Sequence, residues 1–589
     1  MRDVSIGVVA TTAAGRRGAA RLAEVWGEDV RIYKGPVARA LPRAFAECRS
    51  IVAFTACGVV VRILAPLLVG RDTPPGDGSG VRPDTRPTGG KHGDPGVVCV
   101  DEGGHHAIAL LGGHAGGAND LALRVSEVLR TRPVITTGTD SVGLPGLDDL
   151  GLPCSGDVAG VARAILDGDA VRLDLRRPWP LPALGRSVRE NCGPDLPRIV
   201  VTDEVVPDLP DQVVLHPPVL VLGVGASSGA PAEELADLVS RTLEARGLSP
   251  AAVGELVTVD LKAREPALLA LAEHLGVRIR TFPAPELAGQ PVPTPSEVVR
   301  AAVGTASVAE AAVLAAGAEL VVTKQTAPAT TLAVGRLPVR GRLTLVGIGP
   351  GARDLLTARA VNALRRAGVV IGLDQYVAQI QDLLRPGAHV VATGMGTEEK
   401  RARTAVGQAQ AGREVVLVGS GDAGVYAMAS PALQALQESL AEGGPTIDVE
   451  GVPGVTAALA AASQLGAPLG HDHACISLSD LHTPWEIIEK RLVAAAEGDF
   501  TVALYNPRSR GRSGHLDRAL TIFRRHRPGT TPIGVVRDAT RPAQKIWSAT
   551  LDTFDSTEVD MYCLVIVGSS TTTVVDGHIV TPRGYRWLG

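Results

Sequence analysis

The sequence predicts a multidomain α/β protein built on largely parallel sheets. Three observations carry that prediction. Short β-branched runs alternate with Ala/Leu/Arg-rich helical patterns, from "VSIGVVATT" and "SIVAFTA" at the start to "TPIGVVRD" and "YCLVIVGS" near the end. Strands that alternate with helices form parallel sheets, because each return crossover is a helix. The chain has 589 residues, and at ~150 residues per domain this amounts to about four domains. Hydrophobic residues make up 45% of the chain, so every domain can bury a core, but at 3% aromatics that core must rest on Val, Leu, Ile and Ala.

The same numbers exclude several function classes. A net charge of −4 with scattered arginines lacks the basic footprint of a nucleic-acid binder. No apolar run approaches the ~20 residues of a membrane span. The start, "MRDVSIGVVATT", reads as a first strand and is too short for a signal-peptide core. A cytoplasmic location is expected, with no nucleic-acid or membrane partner. The cysteines, Cys48, Cys57, Cys99, Cys154, Cys192, Cys475 and Cys563, form no C-x-x-C pair and suit reduced thiols. Only Cys475 and Cys563 follow residue 340, too few for a four-cysteine iron–sulfur cluster. No metal site is expected.

Taken in order, the first domain spans 1–140. Within it, Gly70 to Gly96 is rich in Gly, Pro and Asp and reads as a mobile surface insertion between two strands. Asp101 and Glu102 end the strand "GVVCV", and His105-His106 look like strand residues. His114 sits in Gly-Gly-His-Ala-Gly-Gly, and Asn119-Asp120 fit the helix start after it. Residues 141–217 follow; their Pro-rich part, Arg176 to Pro218, reads as a linker or small middle domain with one strand-like run, "RIVVTDEVV". The next domain spans 218–337. Its "GVGASSGAPAEEL" places Ser227 and Ser228 at a strand-to-helix turn, where free N–H groups make a ready anion site. Ser227 fits an N-cap equally well, as does Ser296. Lys262, Glu265 and Lys324 are the other polar candidates. "GRLPVRGRL", Gly335 to Leu343, reads as a joint.

The second half divides into 342–460 and 461–589. Three glycine turns follow strands here: Gly347-Ile-Gly349-Pro350-Gly351, Gly419-Ser-Gly421-Asp422-Ala423-Gly424-Val-Tyr426, and Pro453-Gly454-Val455-Thr456. Glycine lets a backbone approach a ligand closely, and such turns at the C-terminal ends of parallel strands line a ligand crevice. The first turn imitates a dinucleotide fingerprint, but its third glycine comes too early. Pro350 also removes an N–H donor, which is poor design for cradling a pyrophosphate.

On these motifs the half resembles the tetrapyrrole (corrin and porphyrin) methylases, S-adenosylmethionine enzymes of two α/β domains. "VGIGPG", "SGDAGVYAM" and "GVPGVTAA" carry the resemblance. "ISLSDLHTPWEIIEKRL", "LYNPRSR" and "VVRDATRPAQKIW" are similar to the precorrin-3B C(17)-methyltransferase branch. The resemblance implies S-adenosylmethionine as cofactor, methyl transfer with ring contraction, and a homodimer. It places the cofactor against Pro350, Gly421, Asp422, Ala423, Gly424, Tyr426, Pro453 and Thr456. Many relatives carry Asp directly after Gly-Pro-Gly, where this chain has Ala352. Asp480 and His482 are candidates for the proton transfers of ring contraction. The other reading is that Asp480 or Thr483 caps a helix opening at Pro484. Arg508 and Arg510 are candidates for tetrapyrrole carboxylates, or residues of a solvated loop.

The first half resembles cobalt-precorrin-5A hydrolase on "FTACGVVVRILAPLL", "VVCVDEGGHHAIALLGGHAGGANDLA", "VLGVGASSGAPAEEL", "VTVDLKAREPALLALAEHLG" and "VVTKQ". The implied reaction opens a lactone and releases acetaldehyde, which needs an activated water. His114 is the candidate base, Asp101 or Glu102 its orienting partner, and Lys324 the contact to a macrocycle carboxylate.

Overall fold

The computed structural model describes residues 6–68, 94–113, 116–190, 192–509 and 511–585. His114, Arg510 and nearly all of the 70–96 insertion lie outside them. The chain forms two compact units, residues 1–179 with 184–339, and residues 180–183 with 340–589. Among the described residues no helix is long and apolar enough to cross a membrane.

The first unit holds three mixed sheets. The first orders its strands Val30–Tyr33, Ile6–Ala10, Ser50–Phe54, Gly96–Val100, His106–Leu111 and Arg132–Val134. His106–Leu111 runs antiparallel to Gly96–Val100, because the short turn from Asp101 to His105 leaves no room for a crossover helix. The insertion follows the helix Cys57–Leu68 rather than a strand. That helix forms because Val60 and Leu64, one turn apart, bury a shared face.

The stretch read as irregular, Arg176 to Pro218, carries the strands Val188–Glu190, Arg198–Val201 and Gln212–Leu215. They join Cys154–Gly156 and Val171–Leu175 in a second five-stranded sheet. Arg198–Val201 lies in the strand-like run "RIVVTDEVV", whereas Val188–Glu190 and Gln212–Leu215 are short and set between prolines, so the sequence pattern hides them. The third sheet orders Arg278–Phe282, Val253–Val259, Leu220–Ala226, Thr330–Arg336 and Glu319–Thr326. Thr330–Arg336 is antiparallel to both neighbours, so the presumed joint begins inside a strand. Asp203, with its side chain fully buried, takes both Arg177, just past the second sheet's strand Val171–Leu175, and Arg336 of the third sheet.

The second unit opens with an all-parallel sheet in the order His389–Thr393, Val369–Leu373, Glu414–Gly419, Arg342–Gly347, Asp448–Val452. Leu343, Leu345, Val415 and Leu417 bury one face, whereas Val346, Val416 and Val418 bury the other. Covering both faces explains the unbroken apolar runs of these strands. A second sheet orders His473–Ser477, Thr501–Tyr505, Cys563–Val567, Pro532–Arg537 and Lys545–Thr550. Here only His473–Ser477 pairs in parallel with its neighbour, so the expectation of parallel sheets fails for this domain. A small three-stranded sheet completes the unit.

Candidate functional site

The parallel sheet sets Glu414–Gly419, Arg342–Gly347 and Asp448–Val452 side by side. Their C-terminal ends therefore deliver the three glycine turns, far apart in sequence, to one place. Backbone contact then locks them. Gly349 N–H donates to Gly421 O at 3.0 Å, and Gly421 N–H donates to Gly349 O at 2.7 Å. Asp422 accepts from Gly424 N–H at 2.8 Å through Oδ1 and from Gly454 N–H at 3.0 Å through Oδ2. A Cβ on Gly454 would stand 2.1 Å from Gly421 O, and one on Gly347 would stand 2.6 Å from the same atom. The glycines are required first so that the turns can pack on one another.

Two adjoining cavities open beside this cluster. The first, of about 490 Å³, is lined by Pro350, Gly421, Tyr426, Thr456, Tyr505 and Arg541 among others. The second, of about 650 Å³, is lined by Arg401, Met428, Ser477, His482, Arg491 and others. Leu373, Tyr376, Met395, Ser420, Tyr426 and Asn506 face both. These volumes suit drug-sized ligands.

The second sheet supplies the far wall of the first cavity. Thr456 Oγ1 meets Tyr505 Oη at 2.7 Å, and Ala458 N–H donates to the same phenol at 3.0 Å. Tyr426 packs its ring 4.9 Å from that of Tyr505 and donates to Cys475 O at 2.8 Å. Burial pushes both phenols above their ordinary range, so they remain neutral hydrogen-bonding groups. Arg541 Nε donates to Pro350 O at 2.9 Å, and Ala352 N–H donates to Thr540 Oγ1 at 3.2 Å. Tyr426, Asn506, Asp538 and Thr540 all hold left-handed backbones, with φ of 50°, 50°, 49° and 66°. Such strain in residues with side chains concentrates at ligand sites.

The sequence candidates divide accordingly. Pro350, Gly421, Tyr426 and Thr456 line the first cavity. Asp422 instead braces the turns, and Ala423 is buried in the core beneath them. Gly424 and Pro453 belong to the same turns but are not among the lining residues. His482 lines the second cavity. Asp480 lies by Arg512 and His515, at 3.7 and 3.6 Å. Neither Asp480 nor Thr483 caps the helix Trp485–Glu497, whose N-cap is Pro484 with no side-chain hydrogen bond. Arg508 lines neither cavity and donates to Ser556 O at 2.7 Å. Arg510 lies outside the described residues.

In the first unit, Asp101 follows its strand and accepts from His106 N–H at 2.5 Å, with His105 Nδ1 at 3.3 Å. Desolvation pushes its carboxyl up, but the His106 N–H and then the His105 ring outweigh this and hold it below the usual range. Glu102 is exposed beside it, and the candidate base His114 lies outside the described residues. Lys324 Nζ is taken by Thr294 O at 2.7 Å. The turn at Ser227 and Ser228 already holds an anion, the protein's own Glu265, which accepts Gly229 N–H at 2.7 Å. Ser227 does not cap the helix Ala232–Ala245, which starts after Pro231; Ser296 does cap its helix. No group of three or more His, Cys, Asp or Glu among the described residues is placed to hold a metal ion.

Sequence reasoning missed Tyr505, Asn506, Asp538, Arg541 and Arg401. The first four sit in the runs "LYNPRSR" and "VVRDATRPAQKIW", where the Tyr-Asn pair of the first run carries no local mark beside its arginines.

Comparison with known proteins agrees with this division. The family model of tetrapyrrole (corrin/porphyrin) methylases matches residues 342–555. Models of the cobalamin synthesis G N-terminal and C-terminal regions match 81–140 and 220–335. A probable cobalt-factor III C(17)-methyltransferase of Salmonella typhimurium is 46% identical over 243 residues, which are 41% of this chain and 99% of that protein. A precorrin-3B C(17)-methyltransferase of Sinorhizobium sp is 40% identical over 250 residues, 42% of this chain and 97% of that protein. The crystal structure of the methyltransferase CobJ is 41% identical, covers 41% of this chain and 100% of its own, and has a TM-score of 0.40.

Proposed function

Because the chain belongs to the tetrapyrrole (corrin/porphyrin) methylase family through its second unit, we propose that this unit methylates C(17) of a corrin precursor with ring contraction. S-adenosylmethionine is the methyl donor. The observation that carries the reading is the stapled cluster of glycine turns, which presents Pro350, Gly421 and Thr456 to a cavity of about 490 Å³.

The lining of that cavity fits the cofactor. Gly421 offers bare backbone, Thr456, Tyr505 and Asn506 offer neutral hydrogen-bonding groups, and Val425, Val536 and Leu564 offer apolar surface. When bound, S-adenosylmethionine supplies a methyl group already activated on a sulfonium. The chain's task is then to position and to exclude water. Pro350 and Arg541 brace the rim through their hydrogen bond. Tyr426 and Asn506, which face both cavities, hold the boundary across which the methyl passes. The macrocycle occupies the second cavity, where His482 is the candidate for proton transfer.

The cobalt form is the preferred substrate. The relative named for cobalt-factor III is 46% identical, against 40% for the one named for precorrin-3B. In the first unit we infer a hydrolase that opens the lactone of cobalt-precorrin-5A and releases acetaldehyde, with Asp101 in its site. Both matched regions there bear cobalamin-synthesis names, which supports the assignment. The chain then acts twice on one macrocycle, in the cytoplasm and as a dimer.

The test uses the full-length chain. Purified protein given S-adenosylmethionine and cobalt-factor III or precorrin-3B should add one methyl group, read by product mass, with the faster rate on the cobalt form. NMR should place that methyl on C(17); a methyl on another ring carbon overturns the assignment. Given cobalt-precorrin-5A, the same protein should release acetaldehyde. A chain that binds the macrocycle but yields no aldehyde is a binding module in its first unit.

A further inference from the structure

Arg401 carries a positive charge into the wall of the second cavity, and among the described residues no acid pairs with it. It stands on the first turn of the helix Glu398–Gln410 and is 3% exposed. Its Nε donates to Thr393 Oγ1 at 2.7 Å and its Nη2 to Gly394 O at 2.9 Å, while Nη1 faces Met428 Sδ at 3.5 Å. All three partners are neutral, and among the described residues no carboxylate is ion-paired with it. A guanidinium does not lose its proton in a protein, and a buried charge without a counter-charge is costly. Its place at the positive end of a helix adds to that cost.

The other ionisable side chains of His, Lys, Arg, Asp or Glu lining this cavity are Glu398, His482 and Arg491. Glu398 turns to the backbone and accepts Gly396 N–H at 3.2 Å. Arg491, exposed on the helix Trp485–Glu497, adds a second cation to the same lining. Thr393 and Gly394 fix one side of the Arg401 fork, leaving Nη1, whose partner is only a thioether, to meet a ligand. A fixed guanidinium fork matches a carboxylate in shape and charge.

We propose that Arg401 and Arg491 form a carboxylate-binding site in the second cavity. The inference rests on the methylase reading, which supplies two carboxylate sources: an acid arm of the tetrapyrrole, or the amino-acid end of S-adenosylmethionine. The lining favours the first, because Pro350, Gly421 and Thr456, the cofactor contacts of that reading, line only the other cavity, while the second glycine turn reaches this one through Gly419, Ser420 and Tyr426.

The experiment measures binding of uroporphyrin III by absorbance titration, and of S-adenosylhomocysteine by calorimetry, to the full-length chain. Variants are Arg401→Gln, Arg401→Lys and Arg491→Gln. Both Gln variants should weaken uroporphyrin III tenfold or more and leave S-adenosylhomocysteine unchanged. Arg401→Lys should fall between, since a point charge keeps attraction but loses the fork. Loss of S-adenosylhomocysteine affinity instead keeps the carboxylate site and assigns it to the cofactor. If Arg401→Gln only lowers the melting temperature while both ligands bind as before, Arg401 is structural and the proposal fails. Arg491→Gln, on an exposed helix face, decides the matter if Arg401→Gln does not fold: unchanged affinity for both ligands overturns the site. A wild-type chain that does not bind S-adenosylhomocysteine would refute the methylase reading itself, which is a distinct outcome.

Discussion

Gly349 and Gly421 exchange both backbone hydrogen bonds, at 3.0 and 2.7 Å, so the first two glycine turns satisfy each other. This removes the donors that a pyrophosphate would need. Pro350 has no N–H, and that of Ala352 goes to Thr540. The turn is therefore a wall, not an anion cradle. NAD should show no saturable binding by calorimetry, while S-adenosylhomocysteine should bind one per chain. Saturable NAD binding without S-adenosylhomocysteine binding would sink the assignment.

Asp422 is expected to act through geometry. Its two oxygens hold Gly424 and Gly454, and hydrogen bonds to a charged group contribute roughly 1.5–3 kcal/mol each. Asp422→Ala removes both bonds and should lower the unfolding free energy by roughly 3–6 kcal/mol and weaken S-adenosylhomocysteine more than tenfold. Gly454→Ala should be harsher, because its Cβ would meet the Gly421 carbonyl, a backbone atom with no side-chain freedom to yield. Denaturant melts and calorimetry on both variants check the order.

Ala352 occupies the N-cap of the short turn Arg353–Leu355, with φ −67°, ψ 138° and no side-chain cap. An acid there would accept a free N–H of that turn, an exchange from Ala that stabilises by about 1 kcal/mol. Ala352→Asp should raise the melting temperature and leave S-adenosylhomocysteine affinity within twofold. A large gain in affinity would show that the acid of the relatives touches the cofactor.

How far the sequence reveals this site depends on what made each part. The three glycine turns were legible because close backbone packing leaves a local mark in composition. Their convergence was not, since it follows from the strand order, which a linear pattern does not encode. Asp422 was legible as part of its turn, but the sequence placed it against the cofactor, and its role as a brace needed the position of Gly454. Tyr505 ends an apolar strand and looks like its last core residue, and Asn506 looks like an ordinary loop residue until its left-handed turn becomes visible. Arg401 has no sequence mark at all, for it sits in a charged helix among Glu398, Glu399, Lys400 and Arg403 and differs from them only in burial. In the first unit, short strands between prolines hid most of a sheet, of which only "RIVVTDEVV" was legible.

Asp203 ties the second sheet of the first unit to the third through Arg177 and Arg336, with its own side chain fully buried. Removing the acid leaves two arginines facing a buried void, and breaking such a group costs roughly 3–5 kcal/mol. Asp203→Ala should destabilise the first unit by about that amount while the second unit still binds S-adenosylhomocysteine. Two separated transitions in a calorimetric melt, with only one of them shifted, would be the signature.

His216 lies next to this ion cluster and sets a pH limit. It is 6% exposed, its Nδ1 faces Thr202 O at 3.2 Å and its Nε2 faces Ser155 Oγ at 3.4 Å. Burial pushes its pKa down, against the opposing pull of the Thr202 carbonyl. The unfolded chain, with an ordinary pKa near ~6.5, thus binds a proton that the folded chain refuses. Stability is fully present above pH ~6.5 and falls as the pH drops below that value toward the depressed folded pKa. The melting temperature of the first unit should therefore decline as the pH drops below about 6.5. His216→Gln, which cannot titrate, should flatten that decline. An identical pH profile in wild type and variant would show that another group controls the acid limb.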